Sequence, residues 1–391
     1  MKKIFKNFVL CVVITALFVN LTFFAASSNT MPINAPSAPE IKENCTSAIL
    51  MEADTGSVLY EHNADAPLPP ASVTKVMTLL LVMEAIDDGK INYNDMVSAS
   101  AHACSMGGSQ IYLKEGELMS VEDLLKSVVI ASANDAAVAL AEYVAGSEDA
   151  FVALMNEKAK ELGMLNTNFE NTNGLDDTAK AHYTSARDIA IMSRELIKHK
   201  KILEYSSIWM DTIRDGAFGL TNTNRLVRFY KGANGLKTGS TSKAGFCITA
   251  TAERDGMTLI CVIMNAQSRD IRNSSATKLL DYGFSNYCVY RSEGNIIENI
   301  SICGSSIRKI NGKYSDFSLI TEKSQKNSIS SEIVLNENIS APINKGDKIG
   351  EIIYSTNGKE IGRIEILSEN TAEKITFSQV FFKIISGMSL K

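Results

Sequence analysis

Residues 69–83 read Pro69-Pro70-Ala71-Ser72-Val73-Thr74-Lys75-Val76-Met77-Thr78-Leu79-Leu80-Leu81-Val82-Met83. The two prolines stop whatever precedes them, and a helical pattern starts at Ser72. Val76, Leu79, Leu80, Val82, Met83 and Ile86 recur along it until Gly89 closes it. A helix this apolar around its circumference is buried, so its N-terminus can lie at the base of a cleft. Three residues is one helical turn, which puts Lys75 beside Ser72. A serine hydroxyl is a weak nucleophile until a base takes its proton, and a lysine whose pKa is lowered by burial and nearby cations can be that base. The helix N-terminus adds free N–H groups and a positive dipole next to the attacked carbonyl. A lone Ser-x-x-Lys is more simply a capping serine and a solvated lysine. The pattern recurs at Ser240, Ser275 and Ser306, so the rest of the chain must choose among the copies.

Two later segments make the choice. Ser132-Ala133-Asn134 falls in a short break between two helical patterns, where a hydroxyl and an amide can project from one tight turn into a cleft. A plain helix cap explains the same residues. Lys237-Thr238-Gly239 leads into two apolar runs, 244–250 and 257–264, joined by Arg254-Asp255-Gly256. Gly239 has no side chain, so an extended ligand can lie along the strand edge there. Lys237 and Thr238 offer a cation and a hydroxyl for a carboxylate; the plain alternative is a turn with a solvated lysine. Only the copy at Ser72 has both later segments behind it in order.

The 391 residues carry 39 Lys plus Arg against 44 Asp plus Glu, a net charge of -5, and no basic field suited to nucleic acid. Lys2, Lys3 and Lys6, the apolar run Phe8–Val19 and the small residues Ala25–Ser28 read as an export signal over 1–27, either cleaved or kept as an anchor. Pro32, Pro36 and Pro39 mark a linker over 28–44. Export permits disulfides, and Cys247 and Cys261 could face each other across the 244–264 hairpin. With no Cys-x-x-Cys pair, all six cysteines beyond the signal read first as small buried residues. The four histidines lack ligand spacing, so no metal and no cofactor is expected.

Strand patterns at the two ends of 45–288 enclose a helical middle. Thr46–Leu50 and Ser57–Tyr60 flank a hairpin signal at Asp54-Thr55-Gly56, and helices are capped by Ser120 with Asp123 and by Ser185 with Asp188. Asn273–Gly283 reads as a closing helix. From 289 to 369 short β runs alternate with Gly346-Asp347 and Asn357-Gly358 turns, which suits a small all-β domain. Residues 370–391 place Phe377, Val380, Phe381, Ile384, Ile385 and Met388 at helical spacing. That stretch is too short to span a bilayer, and reads either as an amphipathic helix in the membrane interface or as one packed on the β domain.

Ser-x-x-Lys, Ser-x-Asn and Lys-Thr-Gly in this order resemble the motif set of the penicillin-binding proteins and class A β-lactamases. Pro70–Lys75, Gly107-Gly108-Ser109-Gln110, Ser132-Ala133-Asn134-Asp135-Ala136, Asn173-Gly174-Leu175-Asp176 and Gly235–Gly239 extend the resemblance to the serine D-alanyl-D-alanine carboxypeptidases, the low-molecular-mass penicillin-binding proteins, over nearly the whole chain. The resemblance implies an α/β (α+β) serine D,D-peptidase or β-lactamase-like domain, with an antiparallel sheet flanked by helices plus a helical subdomain. A β domain and a membrane-anchoring amphipathic helix would follow it. It implies peptidoglycan stem peptides ending in D-Ala-D-Ala as substrate, β-lactam antibiotics as covalent inhibitors, and a place on the outer face of the cytoplasmic membrane. By the same token Ser72 would be the nucleophile, Lys75 the base and Ser132 the relay to the leaving amine. Asn134 would contact the substrate amide. Lys237 and Thr238 would hold the terminal carboxylate, joined by Arg225, whose spacing from Lys237 departs from the family's. The backbone N–H groups of Ser72 and Ser240 would form the oxyanion hole.

Three other readings compete. A β-lactamase of class A would carry Glu-x-x-Leu-Asn between the second and third motifs, and here that string occurs only at Glu332–Asn336, after Lys237. A transpeptidase usually carries a large N-terminal module. A catalytically silent wall-binding or penicillin-binding sensor has no need of intact Ser72, Lys75, Lys237 and Thr238.

Overall fold

Asp54-Thr55-Gly56 does turn a hairpin. In the computed structural model, which describes residues 38–176 and 179–388, strand β1 (Ser47–Glu52) pairs antiparallel with β2 (Val58–His62). The export signal expected over 1–27 lies outside the described residues. Two short antiparallel strand pairs follow later in the chain, β3 (Met96–Ser98) with β4 (Leu118–Ser120), across the short helix Ala101–Cys104, and β5 (Met210–Ile213) with β6 (Phe218–Thr221). The main sheet is completed by β7 (Ala233–Thr241), β8 (Gly245–Arg254) and β9 (Met257–Ala266), in the order β2-β1-β9-β8-β7 and antiparallel throughout. Asp255 and Gly256 both have positive φ, 51° and 71°, the pairing a tight β8–β9 turn demands. The strand β7, which carries Lys237-Thr238-Gly239, is therefore an edge.

Alternation along these strands divides the core. Ile49, Met51, Ile260 and Val262 face a helical layer, while Ala48, Leu50, Leu259, Cys261 and Ile263 face the opposite side. The helical layer contains α1 (Lys75–Asp87), α2 (Val121–Lys126), α3 (Asn134–Ala145), α4 (Glu148–Glu161), α5 (Ala186–Leu196) and α6 (Lys200–Ser206). On α1 every residue from Lys75 to Met83 is buried, as its all-round apolar sequence requires. Ser120 and Ser185 accept the N–H groups of Asp123 and Asp188, each at 3.1 Å, and so start α2 and α5. Against the other face lies α7 (Arg269–Asn286), through Ala276, Leu279, Leu280 and Phe284. It begins four residues before the expected Asn273 because Ser268 caps it, accepting from the Ile271 N–H at 3.2 Å.

The sheet corrects the cysteine reading. Cys247 belongs to the helical-side core and Cys261 to the α7-side core, so their thiols point to opposite faces and do not meet. All six described cysteines are free thiols; Cys45, Cys247 and Cys261 are buried as expected, whereas Cys104 and Cys288 are half-buried and Cys303, joined to Ser340 by an isolated β-bridge at the edge of the β region, is exposed.

From Tyr287 to Ser368 strands dominate, with one short 3-10 turn at Lys326–Ser328. β10 (Tyr287–Ser292) pairs with β13 (Phe317–Glu322). β11 (Ile296–Ser301), β12 (Lys309–Lys313), β14 (Ile329–Leu335), β15 (Lys348–Thr356) and β16 (Lys359–Ser368) form a second sheet in the order β11-β12-β16-β15-β14. Its core is built from Ile300, Ile310, Ile349, Ile352, Tyr354 and Ile366. The last helix, α8 (Phe377–Met388), keeps Phe377 85% and Phe382 69% exposed. No described helix is long and apolar enough to cross a membrane.

Candidate active site

Ser72 sits in a single 3-10 turn, Ala71–Thr74, that runs straight into α1. Lys75, the first residue of α1, is fully buried, whereas Ser72 is partly exposed. The Lys75 Nζ lies 3.0 Å from Ser72 Oγ, 2.5 Å from Asn134 Oδ1 and 2.9 Å from the Asn173 carbonyl oxygen. The one-turn spacing thus becomes direct contact.

The expected break between helices is sharper than a cap. After α2 the chain widens into a π-type turn, Ser127–Ala131, and Ser132 then takes a left-handed conformation (φ 64°, ψ 29°) before α3 begins at Asn134. That reversal turns Ser132 and Asn134 in different directions. Ser132 Oγ accepts a hydrogen bond from Lys237 Nζ at 2.8 Å. Asn134 Nδ2 donates to the Gly107 carbonyl at 2.6 Å, which leaves its Oδ1 facing Lys75. The Asn134 amide is committed at both ends to protein partners.

On the edge strand β7, Lys237 is buried and Nζ also donates to the Thr238 carbonyl at 2.8 Å. Thr238 Oγ1 donates to Thr223 Oγ1 at 2.8 Å. A cleft of about 660 Å³ opens along this edge, lined by Ser72, Ser132, Arg225, Thr238, Gly239 and Ser240 together with residues that motif reading missed: Trp209, Thr223, Phe229, Arg269 and Arg272. Lys75 and Lys237 stand behind this wall, bonded to Ser72 and Ser132, which reach the cleft, and Asn134 stands behind Lys75.

Burial depresses the Lys75 pKa well below the ordinary lysine value; the neighbouring Lys237 pushes the same way, and Asp135 opposes them. The Asp135 carboxylate accepts the N–H groups of Ile111, Leu113 and Ala136. Burial first and Arg272 second bring Lys237 down to about 7. Arg272 itself is pushed down to about 10, mainly by burial and then by Arg269. Two cations on the first turn of α7 run against the helix dipole. That is a sequence signal, because Arg269 and Arg272 at a helix start are unfavourable unless something anionic is to be met. Asn173 gave less to find, since it acts through its backbone. Among the described residues no group of three or more His, Cys, Asp or Glu is placed to hold a metal ion.

Fold and cleft together place a buried lysine against each of two serines beside the edge strand of one antiparallel sheet, an arrangement suited to acyl transfer through a serine. Residues 33–268 match the D-alanyl-D-alanine carboxypeptidase family and residues 291–374 match the C-terminal domain of penicillin-binding protein 5. The chain is 42% identical over 348 residues to the D-alanyl-D-alanine carboxypeptidase DacF of Bacillus subtilis, covering 86% of this chain and 88% of that protein. The crystal structure of penicillin binding protein 5 from Haemophilus influenzae superposes with a TM-score of 0.77 at 30% identity, over 87% of this chain and 100% of that one. Penicillin-binding protein D2 from Listeria monocytogenes, in its ampicillin-bound form, superposes with a TM-score of 0.57 at 34% identity, over 61% of this chain and 97% of that one. The protein therefore belongs to the D-alanyl-D-alanine carboxypeptidase family, and the α+β peptidase architecture with its all-β C-terminal domain is that family's.

Proposed function

We propose that the protein removes the terminal D-alanine from peptidoglycan stem peptides ending in D-Ala-D-Ala, through an acyl-enzyme on Ser72. The observation that carries this reading is the set of contacts around Lys75 Nζ. Asn134 Oδ1 and the Asn173 carbonyl can only accept hydrogen bonds. A neutral amine has two N–H groups for them and one lone pair left, which faces Ser72 Oγ at 3.0 Å. The burial that depresses the Lys75 pKa favours that neutral form. Lys75 then takes the Ser72 proton as Oγ attacks the carbonyl of the scissile amide, and the backbone N–H groups of Ser72 and Ser240 receive the oxyanion.

Collapse of the tetrahedral intermediate expels the amine of D-alanine, which needs a proton. Ser132, hydrogen-bonded to Lys237, is the relay to it. Arg225 and Thr238 in the cleft wall hold the leaving carboxylate, within the positive field of Arg269 and Arg272. Lys237 acts behind them, through Ser132 and the Thr238 carbonyl. Water then hydrolyses the ester, with Lys75 again the base. A β-lactam ring keeps its leaving amine tethered after opening, so the adduct on Ser72 persists. The test is incubation with a D-Ala-D-Ala-ended tripeptide and an assay of free D-alanine. A protein that releases none, or a Ser72→Ala variant that still labels with fluorescent penicillin, overturns the assignment.

Enzymes of this family act on peptidoglycan, outside the cytoplasm. We further propose that α8 lies in the outer face of the cytoplasmic membrane, its exposed Phe377, Phe381, Phe382 and Ile384 inserted among the lipid chains.

A further inference from the structure

We propose that His182 is a positioning residue that, through Thr74, aims the Ser72 backbone N–H into the oxyanion site. The inference rests on the assignment of Ser72 as nucleophile. Its observations lie behind the nucleophile turn, on groups that the mechanism above does not use. The Glu170 backbone N–H donates to His182 Nδ1 at 3.0 Å, so that nitrogen is the acceptor and the ring proton sits on Nε2. Nε2 lies 2.8 Å from Thr74 Oγ1 and therefore donates to it. The Thr74 hydroxyl proton is thereby sent to its other neighbour, the Ala71 carbonyl, at 2.8 Å. Every link has a defined direction, from the Glu170 N–H to the Ala71 oxygen. Burial holds His182 at about 4, so the ring is neutral and keeps Nδ1 as an acceptor at neutral pH.

The Ala71 carbonyl and the Ser72 N–H belong to one peptide unit, which is planar, with the two groups pointing in opposite directions in the trans form. Fixing the carbonyl toward Thr74 thus fixes the N–H toward the cleft. The turn needs holding, because Ala71 has φ 48°, a conformation that a residue with a Cβ adopts rarely. A second constraint comes from Gly174, where a Cβ would stand 1.8 Å from the same oxygen. Gly174 packs against the oxygen that Thr74 holds, and the planar peptide carries that hold to the Ser72 N–H.

The test uses Thr74→Val, His182→Phe, their double variant and Thr74→Ser in the full chain. Reaction with a fluorescent penicillin is resolved into a noncovalent Kd and an acylation rate constant. Each of the first two should slow acylation by about ten- to a hundred-fold, part of the loss that follows removal of an oxyanion donor, with the Kd unchanged. The double variant should be no slower than the slower single one, since both cut the same chain. Thr74→Ser keeps the hydroxyl and should restore the rate. Multiplying losses in the double variant, a change in Kd alone, or Thr74→Ser as slow as Thr74→Val would overturn the proposal. Labelling that survives Ser72→Ala would instead sink the reading beneath it, whereas Ser72-dependent labelling at full rate in His182→Phe sinks only the role of His182.

Discussion

Gly239 on the edge strand packs so tightly against Ser72 that a Cβ there would stand 2.7 Å from the Ser72 backbone nitrogen and 2.9 Å from the Pro70 oxygen and Val73 nitrogen. All three obstacles are backbone and cannot swing aside. The missing side chain lets β7 and the nucleophile turn form the two walls of one narrow cleft. Gly239→Ala should therefore displace the turn at an overpacking cost of about 1–3 kcal/mol. Penicillin acylation should fall by far more than the melting temperature suggests, and a variant that acylates at the wild-type rate would contradict this geometry.

Lys75→Met should cut D-alanine release by about 100- to 10,000-fold, the usual contribution of a positioned base. In the wild type the neutral amine is the working form, so kcat/KM should fall as pH drops through the depressed pKa of Lys75. A pH profile with no acid limb would remove Lys75 from the role.

Lys237 makes a stability prediction with a definite sign. Its folded pKa is about 7 against an ordinary 10.5. Between those values the unfolded chain binds a proton that the folded chain does not, so stability is full above pH ~10.5, declines as pH falls toward ~7, and levels off below it. Lys237→Met abolishes that dependence. The melting-temperature difference between variant and wild type should move in the variant's favour from pH 10 to pH 7; a difference that stays flat speaks against burial of a neutral amine.

Trp209 is the only tryptophan in the chain and lines the cleft edge-to-face with Phe229, ring centroids 6.1 Å apart. Its emission should change saturably when a D-Ala-D-Ala peptide is added to the Ser72→Ala variant, which binds without turnover. Emission that ignores the peptide while binding is seen by calorimetry would place the ligand elsewhere.

Truncation after Thr376 removes α8 and its exposed phenylalanines. The shortened protein should release D-alanine at the full rate yet fail to sediment with anionic vesicles. Equal sedimentation of both forms would take the helix out of the membrane interface.

Much of this molecule is legible in one dimension. The buried helix after Ser72, the caps at Ser120 and Ser185, the Asp54-Thr55-Gly56 hairpin and the change to β texture after α7 all follow from local periodicity and turn chemistry, which act over a few residues. Short-range geometry also pairs Ser72 with Lys75. What lay beyond reach was set by contacts across long stretches of chain. The cysteine pairing failed because the two thiols occupy opposite faces of one sheet, and facing depends on register. Arg269 and Arg272 join the cleft only because α7 packs on β8 and β9, and Thr223 only because the segment after β6 returns to β7, where Thr238 bonds it.

The order of chemical groups along the chain was thus decided by sequence alone: a serine one turn from a lysine, a hydroxyl at a helix break, a cation before a strand-edge glycine. Which atom faces which was decided only by tertiary structure. Asn134 and the Asn173 carbonyl claim two of the Lys75 hydrogen-bond sites, and Ser132 claims Lys237. The physical reason is that desolvation and hydrogen-bond direction, which make an amine a base and a serine a nucleophile, are properties of packed surroundings rather than of a residue or its neighbours in the chain.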